Sequence, residues 1–140
     1  MLDITHISFN MTDPIVGKNK YLRQALSLVY DQEKFDEIFY NGQAVVAQGP
    51  IPPGIEGYDP NFKNPYREYN LAKAKELMAK AGYPDGKGLP PLEITSQADS
   101  VTRQINEFDQ KQFELLGVKT NVSTYSWPEC QAAVKNKKGH

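Results

Sequence analysis

A chain of 140 residues, 39% hydrophobic and 24% charged, is long enough to bury a core as one domain without disulfide or metal staples. Its formal net charge of -1 gives no global field favouring nucleic acid or anionic lipid, and its single cysteine, Cys130, has no partner for a disulfide, a redox pair or a zinc site. No apolar run approaches the ~18 residues that would make a transmembrane segment, and no signal peptide is visible ahead of the first strand-like run.

In chain order, Ile4 to Phe9 reads as a short strand with Ile7 and Phe9 on one face, followed by turn-rich sequence from Asn10 to Lys20. Leu22, Ala25, Leu26, Val29 and Tyr30 then fall on one stripe of an amphipathic helix, with Arg23, Gln24 and Ser27 opposite. Asp31 is placed to cap a second helix carrying Phe35, Ile38 and Phe39, which Asn41-Gly42 ends. Residues 43–67 hold five of the ten prolines, so they form neither regular helix nor central strand. Ile51, Ile55, Tyr58, Phe62 and Tyr66 make this stretch too apolar for a disordered linker, and it is expected to be an ordered loop packed on the domain.

Asn70 caps the next expected helix, with Leu71, Ala74, Leu77, Met78 and Ala81 on one side and Gly82 and Pro84 as its stop. The turn at residues 85–88 leads to a strand from Leu92 to Ser96. A helix capped by Ser100 then runs to Leu116, with Val101, Ile105, Phe108, Gln112, Leu115 and Leu116 toward one face. Gly117 closes that helix, Val118 to Tyr125 alternates as a strand, and Ser126 with Glu129 forms a capping box for a last helix with Pro128 in its first turn. The order strand, helix, strand, helix over residues 90–140 predicts a βαβα unit with a parallel pair.

Motifs for catalysis are missing. His6 lies in the first strand and His140 is the last residue, no HExxH or Cys/His cluster exists, and no metal or cofactor is expected. Gly86-Lys87-Gly88 lacks the following Ser or Thr of a phosphate loop and reads as a turn. The carboxylates Glu33, Asp36, Glu37, Glu107, Asp109 and Glu114 read as solvated helix faces, and Lys135, Lys137 and Lys138 as a solvated terminus. Trp127, the one tryptophan, sits where a strand turns into a helix. In α/β domains ligands meet the carboxyl ends of strands, so Trp127 either lines a pocket or plugs the core beneath the helix start.

Five segments in consistent order resemble family 5 of the ABC-transporter solute-binding proteins, the oligopeptide, dipeptide and nickel-binding class. They are Ile7-Ser8-Phe9-Asn10-Met11, Lys20 to Leu26 with Tyr30-Asp31, Gly49-Pro50-Ile51-Pro52-Pro53-Gly54 with Gly57-Tyr58, Tyr69 to Leu77 with Ala81-Gly82-Tyr83, and Phe113 to Val118. The resemblance implies an α/β fold of the periplasmic-binding-protein type II kind, with a small mixed sheet of about three strands, about five helices and the long proline-rich loop. It implies that residues 1–140 form a single domain that is part of the second lobe of a two-lobed periplasmic or extracellular protein, which captures peptides or similar small solutes for an ABC permease. The partners implied are the ligand, the first lobe and the permease, with no nucleic acid. Trp127 and Asn10 are the ligand-binding candidates. The family's ligand-holding acidic residue lies beyond the corresponding point, so this chain is expected to carry half a site. An interaction domain of the same fold and a small α/β enzyme are the competing readings, and the second would need titratable groups converging in one cleft.

Overall fold

The computed structural model describes residues 3–140. Helices α1 (Lys20–Leu28), α2 (Gln32–Tyr40) and α3 (Leu71–Lys80) precede a short 3-10 turn at Pro84–Gly86. Strand β1 (Leu92–Gln97), helix α4 (Ser100–Glu114), strand β2 (Thr120–Tyr125) and helix α5 (Trp127–Lys135) follow. β1 and β2 pair in parallel, with Leu92 opposite Thr120 and Gln97 opposite Tyr125, as the alternation of strand and helix predicted.

Capping chemistry sets the helix starts. Asn19, Asp31, Asn70 and Asp99 each accept the backbone N–H three residues on, which satisfies one of the orphan donors of a helix N-terminus. The cap of α4 is therefore Asp99 rather than Ser100, which becomes the first helical residue. Ser126 and Glu129 form the expected capping box of α5.

The core lies between α1 and α3 and extends to the base of the sheet. Leu22, Ala25, Leu26, Leu28 and Val29 meet Ala74, Leu77 and Met78, and Leu92, Phe113, Leu116 and Val118 join them. Backbone bonds fasten the same face: Asn70 N–H donates to Leu28 O at 2.9 Å, and the Asn19 side chain donates to Ala81 O at 2.9 Å. The 3-10 turn packs on the end of α4 with almost no clearance. A Cβ at Gly86 would stand 2.1 Å from Gly117 O, and Gly117 itself has φ +74°, so both positions require glycine.

Three expectations change. Ile4 to Phe9 forms no strand, and the sheet has two strands rather than three. A strand exists only with a ladder partner. The flank of β1 is already taken by the C-terminal tail, where His140 N–H donates to Glu93 O at 3.1 Å. The N-terminal segment instead leaves Ile7 exposed and touches α2 through Thr5 and Tyr40, whose hydroxyls are 3.2 Å apart. The proline-rich loop is folded by short turns but packs mainly on itself: Tyr66 reaches the core, whereas Ile51, Ile55, Tyr58 and Phe62 stay exposed. Finally, α4 buries only part of the face expected for it, at Gln112 and Leu116. Val101 and Leu115 are exposed, and the buried positions are Asn106, Asp109, Gln112 and Phe113. Asp109, expected on a solvated face, is only 5% exposed.

Candidate functional site

The carboxyl ends of β1 and β2 open onto the N-termini of α4 and α5, as the parallel register requires. Ser126 turns the chain from β2 into α5 and brings Trp127 out at the first helical position. Trp127 is 57% exposed and therefore does not plug the core; Cys130 and Ala133, on the other face of α5, do that. Val101, in the first turn of α4, is likewise exposed on this rim. Two exposed apolar side chains thus flank the strand ends.

The carboxylates nearest this rim are caps. Asp99 accepts from the Thr102 hydroxyl at 2.5 Å and from Thr102 N–H at 2.8 Å, and these bonds hold its carboxyl below the usual range. Glu129 accepts from the Ser126 hydroxyl at 2.6 Å and from Ser126 N–H at 3.1 Å, with the same effect. Both stay ionised at neutral pH and hold the two helix starts in place.

Asn10 lies elsewhere. Its side-chain amide donates to Lys137 O at 3.0 Å and Gly139 O at 3.2 Å, and its side-chain oxygen accepts from Thr12. Its backbone N–H donates to His140 O at 2.7 Å. His140 in turn accepts Glu93 N–H on its Nδ1 at 2.6 Å. Asn10 is therefore fixed beside the amino-terminal half of β1, while Trp127 follows the carboxyl end of β2. Glu93 and Gln97 are four residues apart, roughly 13 Å of strand at about 3.3 Å per residue. The structure does not bring the two candidate residues together.

Of two grooves on the surface, neither is lined by Trp127 or Asn10. The larger, about 520 Å³, lies between the segment around Phe9 and Met11, the polar face of α1 with Lys20, Arg23 and Ser27, and the loop at Asn64 and Tyr66. Arg23 is partly committed there, donating to Val16 O and Gly17 O at 2.7 Å each. The smaller, about 220 Å³, lies within the proline-rich loop between Pro50, Ile51, Tyr58 and Phe62. Among the described residues no group of three or more His, Cys, Asp and Glu side chains could hold a metal ion, and no helix is long and apolar enough to cross a membrane.

The profile of the bacterial extracellular solute-binding proteins, family 5 Middle, matches residues 1–140. The chain belongs to that family. Heme-binding protein A of Haemophilus influenzae is 33% identical over 141 residues, covering 96% of this chain and 24% of that protein. Di/tripeptide-binding protein 1 of Pseudomonas aeruginosa is 31% identical over 144 residues, covering 98% of this chain and 25% of that protein. A periplasmic oligopeptide-binding protein of Borrelia burgdorferi superposes with a TM-score of 0.79 at 26% identity, over 92% of this chain and 25% of its own. This family 5 chain thus spans about a quarter of the length of the relatives it matches. Its α/β arrangement is that of the type II periplasmic binding proteins, and the family consists of solute-binding proteins rather than enzymes.

Sequence reading missed Asp109 as a buried group. The signal was present in the spacing: Asn106, Asp109, Phe113 and Leu116 recur at helical intervals on one stripe. A polar residue on a buried stripe needs a partner, and Tyr30 supplies it.

Proposed function

We propose that this chain is part of the second lobe of a solute-binding protein that works outside the cytoplasmic membrane, captures peptides and hands them to an ABC permease. It contributes no catalysis in this reading. The observation that carries it is the exposure of Trp127 at the carboxyl end of a parallel strand pair, in a chain whose relatives include peptide-binding proteins. A flat, rigid ring on that rim offers contact area to many side chains at small entropic cost, while main-chain hydrogen bonds give sequence-tolerant affinity. Asn10 serves this site at one remove, by fixing the N-terminal segment to the tail beside β1. Enclosure of a ligand requires contacts from a facing lobe, because a ligand shifts an open–closed equilibrium only through contacts that differ between the states. The isolated chain therefore presents half a site.

The exposed Ile51, Ile55, Tyr58 and Phe62 favour a second role for the loop, as a surface that packs against another part of the assembly. The test of the main reading is calorimetric titration of a mixed short-peptide library into this chain alone and into a longer polypeptide carrying both lobes. Binding is expected only in the second case, with affinity reduced by Trp127→Ala. Tight binding by the chain alone would overturn the half-site reading, and unchanged affinity in the Trp127→Ala variant would remove Trp127 from the site.

A further inference from the structure

We propose that Asp109 and Tyr30 form a proton-operated clasp between α4 and the α1–α2 junction, firm when the Asp109 carboxyl is protonated and weakened when it is ionised. The clasp is independent of the ligand site. Tyr30 and Asp31 are consecutive residues linking α1 to α2. The Tyr30 hydroxyl donates to Asp109 Oδ1 at 2.5 Å, and the Asp31 backbone N–H donates to Gln112 Oε1 at 3.1 Å. Two neighbouring residues thus grip two positions on one face of α4, a turn apart. The rings of Phe108 and Phe113, 5.7 and 6.3 Å from the Tyr30 ring, wall the pair in, and Phe35 from α2 lies tilted against it at 6.0 Å.

What distinguishes this cluster is the lack of positive charge. Among the described residues, no Lys, Arg or His forms an ion pair with Asp109. From the α1 end the facing group is the Tyr30 phenol. From α2 it is Asp31, whose carboxylate is turned to its own helix, accepting Lys34 N–H at 3.0 Å. On α4, Asn106 and Gln112 are neutral, and Arg103 pairs with Glu107 on the exposed side at 3.4 Å. From β1 the Ser96 hydroxyl is directed to Asn106. An ionised carboxylate in this position has one neutral donor and little water, an under-compensated buried charge.

Burial pushes the Asp109 carboxyl up from 3.8 to about 6, the Tyr30 hydrogen bond opposing that shift only in part. The folded clasp therefore holds a proton that the opened chain releases. Its stabilisation is fully present below the ordinary aspartate range, falls as pH rises through about 6, and is flat above. A family 5 protein of the extracellular kind meets the pH of its surroundings directly, so the clasp would respond to the medium rather than to a buffered interior.

The test is hydrogen exchange and carboxyl-carbon NMR on the 140-residue chain between pH 4.5 and 7.5. The Asp109 carboxyl is expected to titrate near pH 6, and the opening constant of α2 and the C-terminal half of α4 to rise by up to about 25-fold across that window. Asp109→Asn should remove the pH dependence while keeping an acceptor for Tyr30. Tyr30→Phe should move the carboxyl midpoint upward, because the phenol favours the ionised form; a merely space-filling tyrosine would leave the midpoint unmoved. An Asp109 midpoint near the ordinary value of about 4, or an Asp109→Asn chain that keeps the native pH profile, overturns the proposal. Should Asp109→Asn fail to fold, the native carboxyl midpoint and its displacement in Tyr30→Phe decide the matter by themselves.

Discussion

Helices α1 and α4 are both amphipathic, yet they bury opposite chemistry. α1 turns Leu22, Ala25, Leu26 and Leu28 inward, and α4 turns Asn106, Asp109, Gln112 and Phe113 inward. The α1 face is held by non-directional burial, roughly proportional to area, and tolerates small adjustments. The α4 face is held by hydrogen bonds that each require one partner in one geometry: Ser96 to Asn106, Tyr30 to Asp109, Asp31 to Gln112. Even so it is incompletely satisfied, since the Asn106 side-chain nitrogen is buried with no partner. The chain therefore keeps its stability in one half and its conditional contacts in the other.

The sharpest way to test that division is to damage α1. Leu22 is fully buried between α1 and α3. Leu22→Ala is expected to cost about 2–5 kcal/mol of unfolding free energy, measured by denaturant titration, with no change in its pH dependence. A loss below about 1 kcal/mol would show that the α1–α3 contact is not the main apolar core.

On α4 the corresponding effect depends on conditions. Above pH 6 the native chain carries an ionised, under-compensated Asp109, and Asp109→Asn relieves it. A displacement from 3.8 to about 6 corresponds to about 3 kcal/mol at most, so the variant should be the more stable protein at pH 7.5 by no more than that. Below about pH 3 the two should converge, because native Asp109 is then mostly neutral whether the chain is folded or unfolded. Thermal melts at the two pH values read the crossover, and a variant less stable than native at pH 7.5 would contradict the sign.

The contrast also explains what was legible in the sequence. Helix α1 announces itself because its apolar stripe is its buried face, and α3 does so for the same reason, with Gly82 and Pro84 marking its end. The βαβα order was readable from alternation and from the capping box at Ser126 and Glu129. The buried face of α4 was half legible: the spacing of Asp109 with Phe113 and Leu116 marks it, but Val101 and Leu115 mark a competing face that points outward, and the partner that separates the two lies on another helix. The Ile4–Phe9 segment failed for a related reason: strand propensity is a local property, but pairing depends on which sheet edge is free, and the tail occupies that edge. The place of Trp127 at a strand-to-helix turn was readable from the sequence, whereas the commitment of Asn10 to the tail rests on bonds spanning more than 120 residues.

A smaller effect is expected within the buried polar pair. Ser96→Ala leaves the Asn106 oxygen without its 3.0 Å donor beside a nitrogen already unpartnered. The loss should be about 1–2 kcal/mol, the cost of stranding a buried polar group. Combining Ser96→Ala with Asn106→Leu removes both polar partners together and should recover most of that loss. A double variant no better than the single one would mean that Asn106 holds α4 by shape rather than by its hydrogen bond.

The smallest effect on stability should come from the residue with the strongest claim to function. Trp127 is exposed, makes no side-chain hydrogen bond among the described residues, and sits in a helix whose start is held by Ser126 and Glu129 and whose buried face is Cys130 and Ala133. Trp127→Ala should change unfolding free energy by no more than about 0.5 kcal/mol, as surface substitutions generally do. A large exposed aromatic that stability does not require is free to contact something outside the chain. A loss of about 2 kcal/mol or more in denaturant titration would place the ring in the fold after all and remove the ground for assigning it to a ligand.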